Sequence, residues 1–449
     1  MYEEHDVEYK NYKGMKLRWD SKGVMDVSYG EAYAQTQGVT AYQDTDTMVS
    51  DERLVQLAHT ILQEAINDGA SDIQIVPKKD RTLVRFRLDD RMEAVREVHS
   101  GAHLGLVAVF QYLAGKALGY WAESSIDGHI SYNYLGQHYD FRMAQSPSQF
   151  GPLLVLRLLA TDSLEGDVGA LGLPERIVNT IRRVYKYKEG LVLVVGGTGS
   201  GKSTTLATGI IEVNQLTGYK LNIMTIENPV EYLIEDIVQH SINPLAGYTF
   251  VKGLQTMLRQ NPDQILVGEV NDNETAGVLA RAAGTGHLVY STLHANSVLE
   301  VHDALRGYGL SERDIMQTLR LVIYQTLEPK LCPHCKKRDI VTQEEKNWLD
   351  KHLLNNTEIG IVYKPNLDGC EHCEGGYRGR VLLAEMLESN REYRHVFEEL
   401  SQRTLSQDEL KRTLLQTEGV NFYPIEFDVY RRLREGTISL DVAYKLIAG

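Results

Sequence analysis

Two spacings of apolar residues organise this chain. In DERLVQLAHTILQEAINDGA, Asp51 to Ala70, apolar positions fall at Leu54, Leu57, Ala58, Ile61, Leu62 and Ala65. That three-to-four spacing predicts a helix with one buried face. Asp51 suits its N-cap and Gly69 its end. SDIQIVP, TLVRFRLDD and HISYNYLGQHYDFRMAQ alternate with a period of two, the last around a central glycine, which predicts strands. Residues 51–165 therefore read as an α+β domain of helix plus sheet. A glycine-rich acidic stretch, TDSLEGDVGALGLP at 161–174, reads as a connector. Beyond it the pattern changes: GLVLVVG, NIMTIE, QILVGE and HLVYSTLH are apolar strand signals, each followed by a turn or a helical pattern. Strands without alternation are buried on both faces, which predicts a mostly parallel sheet over 166–330. Residues 331–385 hold all four cysteines, and 386–449 form a charged, helix-forming tail. Residues 1–50 are rich in Tyr, Asp, Gly and Gln without apolar periodicity, and read as an arm or reduced docking segment.

Composition changes this picture little. The 449 residues are 43% hydrophobic and 24% charged, with a formal net charge of −14. Acidity on this scale argues against a chain that wraps nucleic acid. No apolar run approaches the roughly 20 residues of a membrane-spanning helix. The acidic start, MYEEHDVEYK, lacks an apolar signal core. A cytosolic protein is expected, one that could still dock on a membrane through a partner.

Candidate chemistry is concentrated in VVGGTGSGKSTT. Gly196, Gly197, Thr198, Gly199, Ser200, Gly201, Lys202, Ser203 and Thr204 fit the phosphate-binding loop pattern in full. Glycines let backbone N–H groups turn inward around phosphate oxygens, and the helix that follows aims its N-terminal dipole at the same anion. Lys202 can reach the β- and γ-phosphates, and the Ser203 hydroxyl can ligate Mg²⁺. A strand, LVLVV, precedes the loop and a helical stretch, STTLATGIIEVN, follows it. Such a loop needs carboxylates for metal and water. QILVGE leads into Glu269, and NIMTIENPVE delivers Glu227 and Glu231. Taken singly, each could be a solvated loop acid; which of them is the general base depends on reach to the water.

The cysteines form two C-x-x-C pairs, Cys332 with Cys335 and Cys370 with Cys373. Each pair puts two thiolates on one tight turn, and two such turns complete an S₄ site that favours Zn²⁺. A redox C-x-x-C is the rival, but one redox site does not call for two pairs. The long spacer, 336–369, reads as a helical excursion through TQEEKNWLDKHLL, with Thr342 as N-cap and Trp348 and Leu349 on one face. His334 and His372, inside the turns, read as spectators.

Several ordered motifs resemble those of secretion or "traffic" ATPases, in the branch that powers type II secretion and type IV pilus assembly. TIENPVE (225–231) resembles the Asp box, LRQNPDQILVGEVNDNETA (258–276) the Walker B segment, and TGHLVYSTLHANS (285–297) the His box. GASDIQIVP (69–77), DFRMAQSPSQFG (140–151) and the LCPHC…GCEHCEGGYRGR pattern resemble further segments, so the likeness covers roughly 51–390. It implies an α/β fold: a RecA-like P-loop motor domain with a preceding α+β domain, a zinc-binding insertion and a helical C-terminal tail. It also implies ATP, Mg²⁺ and Zn²⁺ as cofactors, a homo-hexameric ring, and work on an inner-membrane platform protein from the cytoplasm, peripheral to that membrane. His287 and His294 stand in the two His-box positions, where γ-phosphate sensing is expected beside a packed structural role. Arg142 and Arg157 match the segment that carries nucleotide-reaching arginines, with Arg85 and Arg87 as weaker candidates; surface ion pairs are the alternative. The connector GDVGALG is the expected hinge. Asn228, Asn261 and Asn271 depart from the usual Asp, Asp and Arg, so nothing is assigned to those positions. A DNA-translocating motor is the alternative function, and a nucleotide-binding regulator that does not hydrolyse is a third.

Overall fold

The described residues of a computed structural model are 52–448, apart from 89–90, 117–124, 159–163, 165, 244–245, 354–358, 374 and 401–405. Within the first fifty residues only a short antiparallel pair is described, β1 (Lys10–Tyr12) with β2 (Met15–Leu17). The rest of the expected arm, and Asp51, lie outside the described residues. The chain divides into two units, Met1–Asp162 and Ser163–Gly449.

In the first unit the apolar stripe builds α1 (Glu52–Asn67), which buries Leu54, Leu57, Ala58, Ile61, Leu62 and Ala65. Gly69 follows with φ of 67°, a left-handed residue that ends the helix. The sheet comprises β3 (Asp72–Pro77), β4 (Arg81–Leu88), β5 (Arg91–His99), β6 (Ile126–Tyr134), β7 (Gln137–Ser146) and β8 (Leu153–Leu158). Its order is β5-β4-β3-β8-β7-β6, all antiparallel. The central glycine of the third alternating run is the β6–β7 turn: Leu135 and Gly136 have φ of 51° and 79°, the two positive values of a type I′ hairpin. A second helix, α2 (His103–Leu113), shares one core with α1 and the sheet, built on Ile73, Ile75, Val84, Phe86, Phe141 and Leu156. Sequence alternation does not show β5, because this edge strand is exposed along most of its length.

The second unit opens with α3 (Glu175–Val184) and continues β9 (Gly190–Val195), α4 (Lys202–Leu216), β10 (Ile223–Glu227), β11 (Val238–Ser241), α5 (Phe250–Met257), β12 (Gln264–Val267), α6 (Asn273–Ala283) and β13 (Leu288–Leu293). Then come α7 (Val301–Gly307), α8 (Glu312–Thr318), β14 (Leu319–Leu331), β15 (Lys337–Ile340), α9 (Gln343–His352), β16 (Ile361–Lys364) and β17 (Tyr377–Glu388). The chain closes with α10 (Arg391–Leu400), α11 (Gln407–Gln416), β18 (Phe422–Tyr423), α12 (Ile425–Glu435) and α13 (Leu440–Ala448). Eight strands form one sheet in the order β11-β10-β12-β13-β9-β14-β17-β18. The six from β11 to β14 are parallel, and β17 and β18 add antiparallel. All six residues of β9 are buried, since helices cover both faces: α3 and α4 on one, α5 to α8 on the other.

Three expectations change here. Half of the expected hinge belongs to this unit's core: Val168 is fully buried, its N–H donates to Glu212 Oε2 at 2.9 Å, and Arg182 ties Glu212 to Asp167. Residues 336–369 are not simply helical: α9 stands between β15 and β16, which pair antiparallel from Lys337↔Lys364 to Ile340↔Ile361. Thr342 does cap α9, in a full capping box with Glu345, and Leu349 is buried while Trp348 packs on Tyr444. Strand β17 crosses the expected boundary at 385/386 and belongs to the central sheet.

Candidate functional site

The cradle forms where β9 ends. Gly196 has φ of 146°, and a Cβ there would lie 2.3 Å from the Gln325 carbonyl oxygen on β14, so no side chain fits. Gly199 and Gly201 are left-handed at 77° and 84°, and α4 starts at Lys202. The loop thus turns its backbone around a helix N-terminus, which suits an anion. Lys202 Nζ donates to the carbonyls of Gly196 and Gly197 at 2.9 and 2.8 Å, folded back over the loop. Burial lowers its pKa, while the carboxylates of Glu269 and Glu231 pull the other way. Those two acids therefore lie within electrostatic reach of the same ammonium. Ser203 is half-buried at the start of α4, and Thr204 Oγ1 lies 2.8 Å from the Tyr232 hydroxyl.

The carboxylates stand at the same edge of the sheet. Strands β10 and β12 are neighbours in register Ile226↔Val267, and Gly268 N–H donates to Ile226 O at 2.8 Å. A Cβ on Gly268 would sit 3.3 Å from Glu227 Cα, so Glu227 and Glu269 lie side by side. Burial raises the Glu227 pKa; Thr225 Oγ1 at 2.6 Å and Gln239 Nε2 at 3.4 Å donate to its Oε1. Glu269 Oε1 accepts from Asn271 Nδ2 at 3.0 Å. Glu231 is exposed on the loop after β10. Strand β12 is two places from β9, about 10 Å, which leaves room between cradle and carboxylates for a phosphate group.

The two histidines part company. Leu293 is in register with Val195, so His294, the next residue, is exposed at the cradle edge. His287 precedes β13 at the other end: its carbonyl accepts from Gly190 N–H, and its Nδ1 donates to Ala282 O at 3.2 Å. The six-residue strand separates the pair by about 20 Å. The structure places His294 beside the cradle of its own chain and His287 at the far end of β13.

In the first unit the candidate arginines gather on the sheet face turned away from the helices. Arg87, Asp72, Arg157 and Arg142 form one row across β4, β3, β8 and β7, and Arg85 lies two residues along. Buried Asp72 holds Arg157 at 2.9 Å and Arg87 at 3.2 Å.

The four cysteine sulfurs lie within 4.8 Å of one another, and all four thiols are free. Three separations are 3.9 Å (Cys332–Cys370), 3.4 Å (Cys335–Cys373) and 3.6 Å (Cys370–Cys373). A tetrahedral zinc with Zn–S of about 2.3 Å spaces its sulfurs about 3.8 Å apart, so the donor set fits that ion. The rings of His334 and His372 meet at a tilt of 44°, 4.1 Å between centroids.

Sequence reasoning missed Gln325. Fully buried on β14, its amide donates to Ser200 O at 2.7 Å and accepts from Thr205 Oγ1 at 2.8 Å, strapping loop to helix. No motif announces it, because it is 120 residues from Thr205.

Strand, glycine loop, helix and flanking carboxylates together define a P-loop nucleotide hydrolase. Residues 47–423 match the family model described as "Type II/IV secretion system protein". The chain belongs to that family and is one of its P-loop ATPases. It is 36% identical over 350 residues to the type II secretion system ATPase E of Vibrio cholerae, covering 77% of this chain and 67% of that one. It is 34% identical over 348 residues to the type IV pilus assembly ATPase PilB of Pseudomonas aeruginosa, covering 77% and 60%. Among solved structures, the pilus retraction motor PilT with bound ADP superposes with a TM-score of 0.60 at 24% identity, covering 86% of this chain and 95% of that one. The Legionella pneumophila ATPase DotB gives 0.58 at 24%, covering 86% and 93%. Both share the fold.

Proposed function

We propose that this chain is a hexameric ATPase that drives assembly of a type IV pilus or type II secretion pseudopilus through an inner-membrane platform protein. It works from the cytoplasm, held at the membrane by partners. The observation that carries this reading is the convergence at one sheet edge of the cradle, Glu227, Glu231, Glu269 and His294, in a chain that also bears the four-cysteine element. The loop N–H groups of 196–204 bind the phosphates. Lys202 exchanges the carbonyls of Gly196 and Gly197 for phosphate oxygens. Ser203 and Glu269 hold Mg²⁺, which would neutralise charge on the β- and γ-phosphates when bound. Glu227, whose burial raises its proton affinity, suits the general base that takes a proton from the attacking water. Glu231 balances Lys202. Arg142 and Arg157 supply guanidinium charge to the nucleotide, and His294 reports on the γ-phosphate. Cys332, Cys335, Cys370 and Cys373 hold a structural Zn²⁺ that fastens the ends of the segment between them.

Steady-state hydrolysis by the full chain, with and without platform protein and DNA, tests this. Stimulation by the platform protein and indifference to DNA is expected. Stimulation by DNA alone would point to a translocase, and absence of turnover in every condition to a regulator.

A further inference from the structure

One buried carboxylate near the cradle has no part in the chemistry above. Glu385 lies on β17, 2% exposed. It is in register with Tyr324 on β14, Tyr324 with Val195 at the end of β9, and Val195 with Leu293 at the end of β13. These four residues form one row across the sheet, level with the start of the cradle. The segment that leaves β13 begins with His294 at the cradle and finishes on Glu385: Oε2 of Glu385 accepts from Ser297 Oγ and from Val298 N–H, each at 3.0 Å. Three strand spacings separate β13 from β17, about 14 Å. Five extended residues cover about 16 Å, so the segment has little slack.

The anchor is built rather than incidental. Ala295 and Val298 are buried in the same core as Val195 and Leu293, which presses the segment onto the sheet beside β9. Charged and titratable groups that act on Glu385 or on its cross-strand neighbour are Tyr324 itself on β14, Lys411 on α11 and Glu426 on α12, with Glu328 on β14 and Glu300 after Val298 acting on Tyr324. Lys411 is itself paired with Glu426, so the bonds shown for Glu385 go to the segment from β13. A carboxylate withdrawn from water is costly unless its hydrogen bonds are met, and these two offset part of that cost.

We propose that Glu385 is a positioning residue for ATP hydrolysis, holding the His294 segment at the cradle edge through Ser297 and Val298. This rests on the cradle being the ATP site. Glu385 is buried behind the segment it holds and does not open onto the cradle, so the expected effect falls on the rate of the bound complex and not on binding.

The test is steady-state kinetics of the full chain for Glu385→Ala, Glu385→Gln and Glu385→Asp, with Lys202→Ala as control and a melting curve for each. An amide oxygen can accept both bonds, so Glu385→Gln should keep kcat within about threefold. Glu385→Ala should lose about tenfold or more in kcat with KM for ATP within about twofold, the mark of lost transition-state positioning. Should Glu385→Ala fail to fold, Glu385→Asp decides: its oxygen is withdrawn by one methylene, and kcat should fall with KM kept. Full kcat in the Ala or Asp variant, or a KM rise at constant kcat, overturns the proposal while Lys202→Ala is inactive. Equal losses in the Ala and Gln variants overturn it as well. Full turnover by Lys202→Ala overturns the cradle reading, and the proposal falls with it.

Discussion

Lys202 shows how little of the cradle depends on any one contact for folding. Its ammonium bonds two carbonyls of its own loop and lies half-exposed at a helix start. Lys202→Ala should therefore abolish ATP hydrolysis and leave far-UV circular dichroism and the melting midpoint close to those of the parent chain. Gln325 is the opposite case. Gln325→Ala strands the Thr205 hydroxyl and Ser200 carbonyl in a buried site, which should cost about 1–3 kcal/mol in urea unfolding and raise KM for ATP. Glu385 links stability to pH. Burial raises its carboxyl from 4.5 to about 7. The unfolded chain gives up this proton near the lower value and the folded chain near the higher one. Between them the folded state holds more protons, so stability falls as pH rises through that window and levels off above it. Glu385→Gln removes this contribution, and its urea midpoint should gain on the parent's more at pH 8 than at pH 5.

At the scale of elements, the β14–β17 ribbon joins the cradle to the cysteines. Strand β14 is paired with β9 as far as Tyr324↔Val195, and its ladder with β17 continues to Leu331↔Tyr377. The ribbon so leaves the sheet at the nucleotide edge, with Cys332 at its end and α9 packed among Val362, Val381 and Val429 in a core of its own. Zinc there would close the segment between Cys335 and Cys370. Elemental analysis should find about one zinc per chain, and Cys370→Ser should lower both the metal content and the melting midpoint. Metal-free protein with unchanged melting would refute the four-thiolate site. The α9 end was readable beforehand, since T-Q-E-E is a local capping box. Its flanking strands were not: Lys337–Ile340 and Ile361–Lys364 are short and largely exposed, and gain strand character only from each other.

For the molecule as a whole, the arginine row and the motor fall in different units. Arg157 is tied to buried Asp72, whereas among the described residues Arg142 has no ion pair. If guanidinium charge from the first unit serves hydrolysis, Arg142→Ala should lower kcat by about tenfold or more without loss of melting temperature; arginines that directly contact the transferred phosphate are worth about 10³–10⁵. Arg157→Ala should lower stability as well, because it leaves Asp72 with one partner fewer. Unchanged kcat in Arg142→Ala would return that residue to a surface role.

Local chemistry is what the amino-acid order decided alone. The glycine loop, the caps, the C-x-x-C turns and the apolar strand signals act within a few residues, where φ preferences, hydrogen bonds and burial periodicity operate. Tertiary structure decided which strand ends meet. Glu227 and Glu269 become neighbours, and His287 and His294 fall at opposite ends of one strand, through the parallel order of β10, β12, β13 and β9. Gln325 and Glu385 matter only because β14 lies beside β9 and β17 beside β14. Pairing between strands a hundred residues apart is set by how helices cover both faces of the sheet, and no local spacing records it.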